Sequence, residues 1–517
     1  MSKLNRTVRL SQNVGMKYAA ICNIGLYKER SRIMPFKEYN QDQLFLLPPS
    51  LHEFLPKGHM AHIINEVVNG LDLRELYDRY NDLGSSAYHP QMMLKVLFYG
   101  YAMGERSSRT IGHRLKSDVA YMYLSALQQP DFRTINRFRK DNIDLLKGLF
   151  VQIVRLCVEM GMVSIGTIAI DGTKLKANAS YRKTKGVSDL DEEIKAIDKQ
   201  IETILKECEE VDEREDEQMG QDHSPYEVPS ELREKQRLRE RLESAKERVL
   251  SRGLKEINLT DEEATTMLHK GYRAEPSYNG QIAVEGSHGV IVAATLSDNP
   301  ADYEGLVELV EQTEQNTGKK PSEVLGDSGF SSYENLQYLG DKQITGYIPD
   351  QRMESLRKGT AQHPEFHKSR FKYDEREDSY ICPMGKLLSY KGVVKREGKP
   401  DLRIYQCSDC LECKRKWECT RAEYRTISLD PREYLMQTMR ARLATKDGKK
   451  KYGKRKYIVE PVFGDMKYNR KMKEVLLRGK IKAKGEFLIM CIAHNLKKIA
   501  NYIRAMVSTS KLQLQIG

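Results

Sequence analysis

Three acidic residues in this chain stand where a carboxylate can be both held and reached. Asp171 follows the apolar run Ile168-Ala169-Ile170 and precedes Gly-Thr-Lys. Asp327 follows Val324-Leu325-Gly326 and precedes Ser-Gly-Phe, and Glu460 sits in Lys-Tyr-Ile-Val-Glu-Pro-Val-Phe-Gly. A carboxylate at the end of a buried strand is rigid on one side and open on the other. Two such strand ends and a third acid on a helix can hold two divalent ions about 3.5–4 Å apart, an arrangement suited to in-line attack on a phosphodiester. Each acid also has a plain reading. Asp before Gly-Thr or Ser-Gly forms turns, and Glu460 can pair with a nearby Lys. Asp298 and Asp302 compete for the second position, although their place suits the start of a helix at 301.

The charge distribution supports phosphate chemistry. The 517 residues carry a net charge of +12. From Arg440 to Lys484 there are 17 Lys/Arg against 4 Asp/Glu, net +13, so one segment holds the whole excess. A basic block around a candidate catalytic Glu reads as a nucleic-acid surface, with Lys454, Lys456, Arg470 and Arg478 as its phosphate contacts. No apolar run approaches the ~20 residues that span a bilayer. Residues 1–33 lack the apolar core and cleavage site of a signal peptide. A membrane role is excluded, and a cytoplasmic, nucleoid-associated protein with reduced thiols is expected.

Such a length demands several domains. Residues 1–40 read as a basic extension and 41–160 as a helical DNA-binding domain. Within the latter, Asp131-Phe-Arg-Thr-Ile-Asn-Arg-Phe-Arg139 places Arg133, Asn136, Arg137, Arg139 and Lys140 on one polar helix side, with Phe132, Ile135 and Phe138 inward. Helix-turn-helix readers insert such a face into the major groove; an ordinary solvated cationic face is the alternative. Strand-like runs follow at Ile165–Ile170, Gly280–Val284, Val290–Leu296, Glu323–Gly326 and Ile344–Ile348, with a helix at Ala301–Glu314. Their order predicts an α/β fold, a mixed sheet flanked by helices. The catalytic core occupies 161–185, 261–375 and 426–505, with a tail at 506–517.

Two insertions interrupt this core. In 186–260, Leu190, Ile194, Ile197, Ile201, Ile204, Cys208 and Val211 repeat at 4-3 spacing, and a similar pattern resumes from Leu232 to Val249. A self-contained helical hairpin or an intermolecular coiled coil both satisfy that seam. Residues 189–217 carry 14 acids against 4 bases, which keeps this arm off DNA. In 376–425, Cys382, Cys407, Cys410, Cys413 and Cys419 follow a C-x24-C-x2-C-x2-C-x5-C spacing. That resembles a zinc ribbon and implies a Zn²⁺ ion. Five thiols for four ligands leave the set open, and a loop of reduced, buried cysteines is the alternative.

Four segments together resemble bacterial DDE-type insertion-sequence transposases with a ribonuclease-H-like core. They are Asp171-Gly-Thr-Lys-Leu-Lys-Ala-Asn, Tyr278-Asn279-Gly-Gln281, Gly326-Asp327-Ser-Gly-Phe and Tyr457-Ile-Val-Glu460-Pro-Val-Phe-Gly-Asp-Met-Lys467. Residues 41–160 resemble that group's helical N-terminal domain, and Ala493-His-Asn-Leu-Lys497 its C-terminal helix, so the likeness spans roughly 41–500. The resemblance implies that Asp171, Asp327 and Glu460 bind two Mg²⁺, or Mn²⁺ in their place. It also implies a Tyr/Arg/Glu/Lys signature, matched by Tyr452, Arg455, Glu460 and Lys467. The gap from Arg455 to Glu460 is one residue longer than that signature's shortest form, which leaves Lys456 as a rival. Glu460, Phe463, Gly464 and Lys467 share one helix face, and Pro461 suits a first helical position, so Glu460 is expected to open that helix or mark a kink.

The implied partners are terminal inverted repeats and target DNA, bound by a homodimer or larger assembly. The implied activity is metal-dependent strand cleavage and strand transfer. Two other readings share the residues: a DNA-binding protein that has lost transposition, and a stand-alone Mg²⁺-dependent nuclease.

Overall fold

The computed structural model describes residues 50–80, 87–219, 229–269, 271, 273–350, 356, 359 and 363–516. The basic extension 1–40 and the break at 220–228 lie outside them. From Leu51 onward the chain clusters as one compact unit, so the helical N-terminal part and the sheet share a core.

The helical part contains α1 (Met60–Asn69), α2 (Pro90–Ala102), α3 (Ser108–Ser117), α4 (Val119–Ser125), α5 (Phe132–Asp141) and α6 (Leu146–Glu159). Helix α2 starts on Pro90, whose fixed φ and missing N–H suit a first turn. It is buried on nearly all sides, from Met92–Leu94 to Val96–Tyr101, as expected of a helix apolar all round. The Asp131 carboxylate caps α5 by accepting the Thr134 N–H at 2.7 Å. Ile135 and Phe138 pack inward, but Phe132 does not: it is 39% exposed. The Arg109 and Arg133 guanidinium carbons lie 5.2 and 5.7 Å from its ring centre, and this cation–π contact holds the ring at the surface.

The main sheet uses β1 (Thr167–Lys176), β4 (Thr265–Leu268), β5 (Ala274–Glu285), β6 (Ile291–Ser297), β7 (Glu323–Leu325) and β8 (Thr345–Tyr347) in the order β4-β5-β1-β7-β8, with β6 also on β5. The pairs β1–β7 and β7–β8 are parallel, and β1–β5 and β5–β6 antiparallel. This is a mixed α/β architecture, consistent with a ribonuclease-H-like domain. Strand β1 runs five residues past Asp171 because its antiparallel ladder with β5 continues to Lys176↔Ser277. Asp171 therefore lies two residues past the parallel ladder with β7, within the strand and not at its end.

Between β1 and β4, short strands β2 (Thr184–Gly186) and β3 (Glu256–Asn258) pair at the base of a hairpin of α7 (Val187–Met219) and α8 (Ser230–Ser251). Leu190 and Ile197 pack against Leu242, Ala245 and Val249, with Arg239–Asp198 and Lys246–Asp191 ion pairs between the helices. Helix α9 (Gly305–Thr317) begins four residues later than the sequence pattern indicated. The Asp302 carboxylate faces the sheet instead of a helix N-terminus. Helix α10 (Tyr333–Asp341) follows β7.

A second, wholly antiparallel sheet comprises β9 (Lys372–Asp374), β10 (Ser379–Ile381), β11 (Leu387–Arg396), β12 (Lys399–Cys407) and β13 (Thr426–Leu429). Its separate core is small: Phe371, Tyr380, Leu388, Tyr405, Cys407, Cys410 and Ile427.

Three helices complete the fold: α11 (Glu433–Ala444), α12 (Lys446–Gly464) and α13 (Lys480–Ile516), with a π-turn at Asp465–Asn469 after α12. Helix α12 packs on β1, and α13 packs on β6, α2 and α6. Asn495 binds α13 to β6 at both ends of its amide, donating to the Ile291 carbonyl at 2.8 Å and accepting the Ile291 N–H at 2.9 Å. No described helix is long and apolar enough to cross a membrane.

Candidate active site

The parallel ladder of β1 and β7 pairs Thr167 with Glu323 and Ala169 with Leu325. Two residues further on, each chain reaches an aspartate, so the register brings Asp171 and Asp327 to the same edge. Gly326 makes this approach possible, because a Cβ there would stand 3.3 Å from both the Ile170 and Ile348 side chains. One oxygen of Asp327 accepts the Gly329 N–H at 2.9 Å and caps the turn Ser328–Phe330. The turn-forming role is real, and it fixes the carboxylate rather than competing with a site.

Asp171 is largely buried. Burial and the neighbouring charge of Asp327 push its carboxyl up to about 6, against the opposing pull of Arg455. Arg455 Nη1 lies 3.0 Å from Asp171 Oδ2. Arg455, set back in the sequence by its spacing to Glu460, is thus the cation placed on the first acid; its rival Lys456 is exposed. Tyr452, one turn earlier on α12, is half-buried and within electrostatic reach of Arg455. Lys467 Nζ donates to the Lys174 carbonyl at 3.2 Å, three residues along β1 from Asp171.

Asp302, a competitor for the second position in the sequence, lies close to the residues that neighbour both aspartates. Asp302 accepts from Asn279 Nδ2 at 2.6 Å and Gln281 Nε2 at 3.1 Å, and pairs with Lys174 Nζ at 3.5 Å. A Cβ at Gly172 would be 2.5 Å from one Asp302 oxygen, and a Cβ at Gly329 3.1 Å from the other. Asp302 therefore bridges the neighbours of both site acids and does not start a helix. Asn279 Oδ1, buried without a hydrogen-bond partner, lies beside Gly172. The available signal was the alternation of polar residues along β5, with Asn279 and Gln281 at i and i+2, which sets both on one sheet face. Asp298 pairs instead with Lys480 at 2.6 Å.

Glu460 is not at a helix opening. Helix α12 continues through it and through Pro461 to Gly464, and Glu460 is exposed. Pro461 has no N–H for the carbonyl four residues back, at Tyr457, but that residue lies at the surface, where water can serve the carbonyl. Five residues past Arg455 on an α-helix, Glu460 is about 7.5 Å further along and about 140° further round. Arg455 faces Asp171, so Glu460 faces away from it. Among the described residues no group of three or more His, Cys, Asp or Glu is spaced to hold a metal ion. The structure unites two of the three acids.

The expected DNA-contact residues divide by burial. Arg133, Arg137, Lys140, Lys454, Lys456 and Arg478 are exposed. Arg139 is buried, donating to the Tyr101 hydroxyl and the Arg106 carbonyl at 3.0 Å each and to Asn136 Oδ1 at 2.7 Å. Arg470 is 1% exposed and faces Asp465 at 3.0 Å. A guanidinium so enclosed does not reach a phosphate backbone, which removes Arg139 and Arg470 as DNA contacts and gives them structural partners.

The Asp171 shift has a measurable consequence. Its folded-state pKa is raised, so the stabilisation of the protonated form is complete below the unfolded value of 3.8 and is lost as pH rises through about 6. Asp171→Asn mimics the protonated form. In chelator, denaturant titrations should show this variant gaining on the wild type by up to about 3 kcal/mol between about pH 4 and pH 8. A pH-independent difference would contradict the placement of Asp171.

Two models of known families match parts of the chain, both outside the stretch that carries Asp171 and Asp327. Residues 381–500 match the model of a transposase DDE domain, a stretch that includes Arg455, Glu460 and Lys467. Residues 49–141 match the model of a transposase domain. No curated protein matches the chain. The two matches liken these segments to transposases of the DDE type and suggest an activity of the polynucleotidyl-transferase kind.

Proposed function

We propose that this DDE-type transposase of bacterial insertion-sequence kind binds the terminal inverted repeats of its element, cleaves there and joins the ends to target DNA. The supporting observation is the pair Asp171 and Asp327, two carboxylates delivered to one edge by adjacent parallel strands and repelling each other's charge. Their all-oxygen donor chemistry, with the unpartnered Asn279 Oδ1 nearby, fits a hard divalent cation such as Mg²⁺ or Mn²⁺. When bound, such ions supply activation of the attacking oxygen and stabilisation of the departing one.

The chain's own residues do the remaining work. Arg455 orients Asp171 through its second oxygen. Lys467 and the exposed Lys454 and Lys456 offset phosphate charge. Glu460 completes the acid set by movement of the α12 end, where Pro461 and the π-turn follow it; π-turns commonly sit at functional sites. Joining two ends in one event calls for at least two chains in the active complex.

A supercoiled plasmid carrying the gene with its flanking DNA, incubated with the chain and Mg²⁺, tests this reading. Excision at the element boundaries is expected. Binding without cleavage supports a DNA-binding protein that has lost transposition, and scattered nicking supports a stand-alone nuclease.

We also propose Zn²⁺ in the second sheet, where all five expected thiols line one cavity of about 20 Å³. Backbone N–H groups of Lys386 and Arg425 donate to Cys382 and Cys410 sulfur at 3.2 Å each. The thiols are not yet at ligand spacing, so uptake requires them to turn inward. Elemental analysis of chain purified under reducing conditions should find about one zinc per chain, in line with a four-ligand structural site; none after zinc addition refutes it.

A further inference from the structure

A cavity of about 880 Å³ opens where β1 ends, five residues beyond Asp171. Its walls include Lys176, Tyr181, Arg182, Lys183, Arg273 and Arg478. The cavity is tied to the candidate site by covalent and hydrogen-bonded chain. The Lys176 N–H donates to the Lys473 carbonyl at 3.1 Å, and the Val475 N–H donates to the Lys176 carbonyl at 2.8 Å. The strand bearing Asp171 and the segment that follows Lys467 therefore meet at its rim.

The charges on these walls are unequal. Two acids line the cavity against five cations: Glu275, neutralised by Lys176 at 3.2 Å and Arg273 at 2.7 Å, and the exposed Glu474. Arg182 and Lys183 are exposed, and among the described residues no carboxylate pairs with either. Arg478 uses Nε on the Asn178 carbonyl at 3.0 Å and remains exposed. Beside these cations Tyr181 leaves its ring 47% exposed, in a single helical turn shared with Arg182 and Lys183. Phosphates of a duplex would satisfy the cations but leave the ring idle, because duplex bases are already stacked. A strand with an unpaired base satisfies both, since any base can stack on an aromatic face beside a cationic track.

We infer that this cleft takes an unpaired stretch of the DNA strand next to the reacting phosphate, with a base stacked on Tyr181 and the flanking phosphates on Arg182 and Lys183. The inference rests on the transposase reading and extends it. It explains why the ring stands at the surface: opening the helix beside the site would present the scissile phosphate to the two aspartates.

Fluorescence anisotropy with the full chain tests it, using a short blunt duplex and the same duplex with an unpaired 3′ tail, each over a range of salt concentrations. Wild type should prefer the tailed duplex. Tyr181→Ala should lower affinity for the tailed duplex by about tenfold, within the range for one base–aromatic stack, and leave the blunt duplex unchanged. Tyr181→Phe should retain the preference. Arg182→Ala with Lys183→Ala should weaken both duplexes and reduce the salt slope by about two. An unaltered preference in Tyr181→Ala overturns the stacking, and an unaltered salt slope in the double variant overturns the cleft as a strand path. Failure of the wild type to bind either duplex instead overturns the transposase reading beneath it.

Discussion

Asp327→Asn is expected to abolish strand cleavage and transfer, lowering the rate by at least about a thousandfold, or about 4 kcal/mol of barrier. The substitution keeps shape and keeps an oxygen for the Gly329 N–H, so the capped turn Ser328–Phe330 and the β7 register should persist. What it removes is the charge opposite Asp171. A pair of carboxylates repelling each other at a buried edge is costly unless a cation joins them, and one carboxylate with Arg455 alongside leaves little net negative charge for that cation. Binding of element DNA should be unchanged, because phosphate contacts are assigned elsewhere. The measurement is plasmid excision with Mg²⁺ together with a binding assay on the same preparation. Excision at the wild-type rate would remove Asp327 from the site.

Asp465→Asn should produce the largest loss of stability, about 3–5 kcal/mol by denaturant titration at neutral pH, as for removal of one partner of a buried ion pair. Asp465 receives Lys497 Nζ at 2.8 Å and Asn469 Nδ2 at 3.0 Å, and faces Arg470 at 3.0 Å and His494 at 3.6 Å. Despite burial, His494, Lys497, Asn469 and Arg470 hold its carboxyl well below the usual carboxylate range. Burial pulls the Arg470 guanidinium down, yet a guanidinium starts so high that it stays charged. None of its three guanidinium nitrogens has a hydrogen-bond partner, so the charge of Asp465, 3.0 Å away, is its main compensation. Because the folded-state pKa is depressed, this contribution is complete above the ordinary carboxylate value near about 4 and declines as pH falls below it. The gap between wild type and variant should narrow in acid. A loss under about 1 kcal/mol, the scale of an average surface change, would show that Arg470 does not depend on this carboxylate.

The two predictions separate what local sequence carries from what it does not. Asp171 and Asp327 were legible because a short apolar run that stops at an acid marks a buried strand reaching an edge. The extent of β1 was not, since its last residues are held by β5, more than one hundred positions away in the chain. Asp302 was assigned to a helix start by a local rule that its cross-strand partners Asn279 and Gln281 override. Glu460 was expected at a helix opening or a kink because Pro461 suits a first turn; the helix instead runs on through both residues, with the bereft carbonyl meeting solvent. Arg139 and Arg470 resembled their exposed neighbours in type and spacing. Burial decides that both are interior, with Arg139 held by Tyr101 and the Arg106 carbonyl and Arg470 facing Asp465. The Cys spacing showed a cluster, whereas the small sheet that gathers it is set by pairing from Lys372 to Leu429.

The central claim is that Asp171 and Asp327 jointly hold the reactive cation. Mn²⁺ binding to the full chain in the presence of element DNA, followed by electron paramagnetic resonance, tests it most directly. Wild type should show saturable binding that either Asp171→Asn or Asp327→Asn alone removes. Undiminished binding in both variants would contradict the claim.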